Sequence, residues 1–281
     1  MRFKTFMEAA AVVDTPAFKS WFAGSKVVDK HGNPLLVFRG FTKNPAKDRF
    51  ITRQNRATLS FTPIPEIANV YAKKQGMFGG ASYETGANIG AYYLSIKNPI
   101  DLRSLGSRTT LRNFISKAFP KFADTYSMIQ ILEGLIARES YGAQIDVELD
   151  DIPTHEPSIL ARDDLTDAIE LLDDPNYKKE FSWHDIADGI EVDVYVLADS
   201  SEVVDLLDDA GYDGMIIKDV GEGLAGHTEI PLDKIKGVNI SDDYSYDVYR
   251  PFKMKQIKSA IGNIGTFKSD SPDVTESVKY V

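Results

Sequence analysis

The sequence predicts an α+β protein whose sheet is interrupted by an acidic, largely helical insert, and three observations lead there. Short runs rich in β-branched and aromatic residues, "LLVF", "AYYLSI", "MIIKD" and "VYRPF", lie toward the two ends of the chain, as strands do. Between about 106 and 145, "LRNFISKAF" and "YSMIQILEGLIARE" place apolar residues at three- and four-residue spacing, which is the helical period. The strands before this stretch and those after it are each too few to close a sheet, which argues for one domain that draws on both groups.

Taken in order, residues 1–24 read as one or two short helices, with Thr15 as N-cap, Pro16 at the first helical position and Gly24 as the stop of "TPAFKSWFAGS". "VVDKHGNPLLVF" reads as a hairpin turning on "HGNP". A basic link, 42–56, leads to a strand in "ATLSFT" and a helix beginning near Pro65, where Glu66 complements the dipole. "GMFGGASYETGANIG" lacks periodicity and reads as a loop, and "AYYLSIKNPIDL" as a strand ended by Asn98 and Pro99. Residues 146–174 carry eleven carboxylates against the single basic side chain of Arg162, so that stretch belongs on a solvated face; its carboxylates do not fall into a calcium-binding loop. "IEVDVYVLA" reads as a strand, "SSEVVDLLDDAGYDGMIIKD" as a capped helix stopped by Gly211 and a further strand, "HTEIPLDKIKGVNI" as a strand with a turn, and the residues after "VYRPF" as a loose tail.

Composition bounds the function. The 281 residues suffice for a sizeable core. A formal charge of -10 opposes nucleic acid and acidic membrane surfaces, and no run of 18 apolar residues offers a membrane span. Cysteine is absent, so there is no disulfide or thiolate ligand, and the four histidines show no ligand spacing. Glu8 and Asp14 interrupt any secretory apolar segment; a cytoplasmic site of action and no metal are the expectations. No GxxxxGK[ST] and no GxSxG occurs.

Few residues then stand out. Arg39 ends an apolar strand and is followed by Gly40; a planar donor fork beside a missing side chain suits an anion that approaches closely, although an edge-strand ion pair is the plainer alternative. Ser60 and Thr62 alternate around Phe61, so two hydroxyls share one strand face and can orient a ribose or a carboxylate. Tyr71, on the following helix, is either core or a stacking platform. Glu229 shares a face with His227, and a carboxylate there can support charge developing on a sugar ring; Asp247 is its competitor.

The order of the pieces "FKSWFAGSKVVDKHGNPLLVFRG", "LSFTPIPEIANVYA", "YYLSIKNPIDL", "AGYDGMIIKD" and "QIKSAIGNIGTF" resembles the ADP-ribosyltransferase-like domains of phage and polyvalent mobile-element proteins. Where those carry Tyr-His-Gly-Thr at a strand end, this chain has Phe38-Arg39-Gly40-Phe41, which is similar to the arginine-serine-glutamate class. The resemblance implies a split β-sheet core over 25–258 with N-terminal helices, the acidic insert at about 106–188, and a C-terminal tail over 259–281. It implies NAD as substrate, with Arg39 and Gly40 at the dinucleotide, Ser60 and Thr62 on the serine-bearing strand, and Tyr71 beside the cofactor. Glu229 stands at the catalytic acid position, while "DVYRPFKMKQIKSA" pulls Asp247 toward the same role. The implied activity is mono-ADP-ribosyl transfer to a protein of a bacterial host, in the host cytoplasm or after packaging in the virion. NAD hydrolysis and a non-catalytic virion or interaction protein are the alternatives.

Overall fold

Thr15 accepts a hydrogen bond from the Phe18 N–H at 3.2 Å and Pro16 occupies the first turn, so helix α1 (Pro16–Phe22) starts where its capping residues dictate; Gly24, at φ 80°, ends it. This computed structural model describes residues 12–41, 58–73, 88–120, 125–139, 145–147, 165–173, 183–220, 230–241, 244–261, 263 and 265–274. The basic link, the glycine pair at 79 and 80, His227 and Glu229 lie outside the described residues.

After α1, the Asp29 carboxylate accepts from the N–H groups of His31 and Asn33 at 2.8 and 2.9 Å, closing the turn that bridges Val28 to Pro34 and aims strand β1 (Val37–Phe41). Helix α2 (Pro65–Lys73) follows, then β2 (Asn88–Leu94) and β3 (Pro99–Asp101). The middle region holds β4 (Arg108–Thr110), α3 (Leu111–Ala118), α4 (Thr125–Glu139), β5 (Ile145–Val147), α5 (Leu165–Asp173), α6 (Trp183–Asp188), β6 (Ile190–Asp193) and α7 (Val194–Asp199). The chain continues with α8 (Ser201–Asp209), β7 (Gly214–Asp219), β8 (Tyr246–Pro251) and β9 (Ile257–Ser259).

These strands make an α+β architecture of three small sheets, ordered β1-β2-β9, β3-β7-β8 and β4-β6-β5. All pairings are antiparallel except β3 with β7. The first two sheets meet across a single segment: Thr62 bridges Phe38 of β1, and Phe61 bridges Tyr249 of β8. Side chains alternate accordingly. Val37, Phe61, Tyr92, Ile216 and Tyr249 pack on one face with Val27 and Leu94, while Phe38 turns to the aromatic cluster of Phe18, Trp21, Phe22, Tyr93 and Phe267. Met215, Ile217 and Val248 of β7 and β8 bury against Phe114, Met128 and Leu132 of the middle helices, so the insert supplies one wall of the second sheet.

The described residues depart from the sequence reading in several places. The described part of "HTEIPLDKIKGVNI" holds a 3-10 turn at Leu232–Lys234 and an isolated bridge from Asn239 to Ser245 in place of a strand. "IEVDVYVLA" is strand for four residues only and then helix, because Val194, Val196, Leu197 and Ala198 are buried all round and such a run has no diagnostic period. "ATLSFT" makes two bridges rather than a strand. "AYYLSIKNPIDL" divides between two sheets, and β2 itself begins at Asn88, inside the stretch read as loop; the break comes where the Lys97 and Asn98 N–H groups, each at 2.8 Å, are captured by the Asp213 carboxylate. Beyond 259 the chain stays packed: Phe267 and Val274 are buried, and the buried Lys258 ammonium donates to the carbonyls of Ser271 and Asp273, both at 2.9 Å.

Candidate functional site

Arg39 is half-buried on the Val37 face of β1. Its Nη1 donates to the Ser60 carbonyl at 3.0 Å, and its guanidinium carbon lies 5.9 Å from the centroid of the Phe61 ring, within cation–π reach. Directly across the ladder from Arg39 stands Gly90. The position a Gly90 Cβ would take is 2.1 Å from the Tyr92 hydroxyl, so the Tyr92 side chain leans back along β2 toward the Arg39 position. Burial pushes the Tyr92 phenol up, and the nearby Arg39 charge opposes that shift. The structure therefore brings Arg39 and Ser60 together, through the serine backbone.

Gly40 turns to the other face, where a Cβ would lie 2.1 Å from the Ala68 carbonyl oxygen and 2.5 Å from the Ala72 nitrogen. The missing side chain admits helix α2 against β1. That contact also fixes Tyr71: it precedes Ala72 as Arg39 precedes Gly40, so the two side chains leave the backbone within one residue of the same close approach. Thr62 is buried, and its hydroxyl accepts from the Ile64 N–H at 3.3 Å, shaping the entry to α2.

Tyr71 keeps 45% of its surface exposed, yet desolvation leads the causes that raise its hydroxyl. The Tyr246 hydroxyl donates to Asp219 Oδ2 at 3.0 Å, and the Tyr71 oxygen is 3.1 Å from that of Tyr246 and 3.4 Å from Asp219 Oδ2. Asp219 Oδ1 accepts from the Val220 N–H at 2.9 Å. Burial pushes the Asp219 carboxyl up, with the bonds from Tyr246 and Val220, the Arg250 charge and the bond from Tyr71 pulling the other way.

Asp247 occupies the opposite face of β8, across from Lys218, and its Oδ2 accepts from Arg103 Nη1 at 2.8 Å. Arg103 also grips Asp101 through Nε and Nη2, at 3.0 and 2.6 Å. This ion pair lies on the Tyr249 side of β8, where its charges act on the Tyr249 phenol, and on the other side from Tyr246, which meets Tyr71. Among the described residues no cluster of three or more metal-ligating side chains occurs, and no helix is long and apolar enough to cross a membrane.

The sequence profile of the family described as ADP-ribosyltransferase in polyvalent proteins matches residues 29–267. The chain belongs to that family. No curated protein and no solved structure matches it. The family match spans Arg39, Gly40, Ser60, Thr62, Tyr71, Glu229 and Asp247 and supports a transferase-like function in general terms. It also runs through the acidic middle and beyond 259, in keeping with a chain packed past β9.

Within this ADP-ribosyltransferase-family fold, three neighbours of the predicted residues escaped the sequence reading: Tyr92, Asp219 and Tyr246. Tyr92 had one legible signal, a glycine two positions earlier on the same strand face. Asp219 and Tyr246 had none, since only the β7–β8 register sets them opposite each other.

Proposed function

We propose that the chain is a mono-ADP-ribosyltransferase that cleaves the bond between nicotinamide and ribose in NAD and joins ADP-ribose to a protein side chain. The observation that carries this reading is the half-buried guanidinium of Arg39, held against the Ser60 carbonyl and the Phe61 ring, in a chain whose family membership covers residues 29–267. A fork fixed in this way has donors for a diphosphate or its adjacent ribose, and it acts by positioning. Gly40 and Thr62 set the neighbouring backbone, Ser60 lies on the same bridging segment as Thr62, and Tyr71 keeps part of its side chain exposed.

In the proposed step the ribose C1′–nitrogen bond breaks and nicotinamide leaves with the electron pair. Positive charge builds on the ribose, and an acceptor side chain attacks C1′ and releases its proton. Glu229 is the proposed acid, bonding the ribose 2′-hydroxyl and favouring that charge. Asp247 is the less suitable candidate because its carboxylate is already engaged by Arg103. The acceptor on this reading is a protein of a bacterial host.

The test is incubation with labelled NAD and host-cell lysate, alongside Glu229→Gln, Asp247→Asn and Arg39→Ala. Label on protein that disappears with Glu229→Gln and persists with Asp247→Asn supports the assignment, and the reverse pattern moves the acid to Asp247. Free ADP-ribose without labelled protein makes the chain an NAD glycohydrolase. Neither turnover nor NAD binding leaves a non-catalytic interaction protein.

A further inference from the structure

Thr58 stands just upstream of the Ser60 carbonyl that holds Arg39, and it is buried. Its hydroxyl accepts from Arg250 Nε at 2.7 Å and donates to the Ala198 carbonyl at 3.3 Å. Next to Ala198 is Asp199, whose carboxylate takes Arg250 Nη2 on one oxygen and Arg138 Nη2, at 3.4 Å, on the other. The contacts therefore close a ring, from Thr58 to Arg250, Asp199, Ala198 and back, with β8 and α7 as its sides. The hydroxyl's proton and an accepting lone pair are committed in different directions. The ring is also interior, since Asp199 and Arg250 are 2% and 1% exposed. A satisfied buried network specifies one geometry, because displacement leaves a charge-assisted bond unmade in a low dielectric. From the ring the chain reaches Arg39 in few steps. Phe61 exchanges backbone bonds of 3.0 and 2.8 Å with Tyr249, the residue before Arg250, and Thr62 exchanges bonds of 3.0 and 2.7 Å with Phe38, the residue before Arg39. Ser60 thus lies between two anchors: the Thr58 side chain, tied to α7 and β8, and the Phe61 backbone, tied to β8.

We propose that Thr58 is a positioning residue for the Arg39 guanidinium, held in that role by Arg250 and Asp199. The middle region of the chain, through α7 and the Arg138 side chain of α4, then supports the candidate site from behind. The inference rests on the NAD reading above and deepens it: the donor fork assigned to the dinucleotide keeps its orientation because Ser60 holds one of its nitrogens at 3.0 Å, and the ring sets where the Ser60 carbonyl lies. Phe61 fixes one side of Ser60 through backbone bonds that any residue there would make, whereas Thr58 fixes the other through a hydroxyl. A single side chain is therefore the element whose loss frees the carbonyl.

The experiment reads the Arg39 side chain directly, by NMR on the full chain with the Arg39 signals assigned from Arg39→Lys. A guanidinium held at Nη1 turns slowly about its Cζ–Nη bonds and gives separate Nη signals; a released one gives an averaged signal. The wild type is expected to show separate signals. Thr58→Val, which keeps the shape, and Thr58→Ala, which leaves room for a water to satisfy Arg250 and the Ala198 carbonyl, are both expected to average them while remaining folded in urea unfolding. Thr58→Ser restores the hydroxyl and should restore the separate signals. In parallel, the NAD dissociation constant should rise by about tenfold in Thr58→Ala, the equivalent of one hydrogen bond, and return to the wild-type value in Thr58→Ser. Averaged signals in the wild type, or separate signals in either Thr58→Val or Thr58→Ala, overturn the proposal, as does NAD binding that Thr58→Ala leaves unchanged. Signals that average in the variants of a chain that binds no NAD support the positioning role and overturn the transferase reading instead.

Discussion

Gly40→Ala separates two reasons for a glycine beside Arg39. On chemical grounds alone the missing side chain admits an anion; in the structure it admits helix α2. The residue is absent from the positive-φ glycines, so alanine is conformationally acceptable there, and by reducing the freedom of the unfolded chain it should stabilise by about 0.4–1 kcal/mol. Against that stands a Cβ placed 2.1 Å from the Ala68 carbonyl oxygen and 2.5 Å from the Ala72 nitrogen. Both contacts are helix backbone, which no rotamer change can withdraw, so α2 must move away from β1 by more than an ångström to reach ordinary contact. Overpacking of this kind costs about 1–3 kcal/mol, and rigid backbone on one side puts this case at the upper end. The net expectation is a loss of about 2 kcal/mol, read from urea unfolding as a lower midpoint with an unchanged slope. A variant as stable as the wild type, or more so, that nevertheless loses NAD binding would refute the packing argument and return Gly40 to the anion.

The remaining predictions concern charge buried elsewhere. Asp199, with a fully buried side chain, is shared between Arg250, which also donates to Thr58 at 2.7 Å, and Arg138 at 3.4 Å; Asp199→Ala strands Arg250 in the interior and should cost about 3–5 kcal/mol in denaturant unfolding. Asp219 has its folded pKa raised above the model-compound value of 3.8, so the folded state binds the extra proton and wild-type stability falls as pH rises from that value through the raised one. Asp219→Asn lacks this dependence, and thermal melts across acidic to neutral pH should show the variant gaining on the wild type as pH increases. Lys258→Met removes the donor to the Ser271 and Asp273 carbonyls; limited proteolysis between 260 and 274 should accelerate by about tenfold for each of the two lost hydrogen bonds.

Local chemistry made much of this protein legible in its sequence. Thr15, Pro16 and Gly24 bound α1, Ser200 and Gly211 bracket α8, and the periodicity of "LRNFISKAF" and "YSMIQILEGLIARE" marks α3 and α4, because capping and amphipathic spacing act within a few residues. Arg39 and Gly40 likewise drew notice from their position at a strand end. Strands of three residues, β4 and β5, were illegible because alternation needs more length to register, and α7 passed for strand because complete burial erases its period. The partners of the candidate site came only from tertiary structure. Register, and not spacing, sets Asp219 across from Tyr246 and Gly90 across from Arg39. The approach of α2 to Gly40 decided where Tyr71 sits, and the side chain of Arg103 took Asp247 from a distance of 144 residues. A sequence fixes what each side chain can donate, accept or bury, whereas the pairing of strands and the seating of helices choose which of those capacities meet.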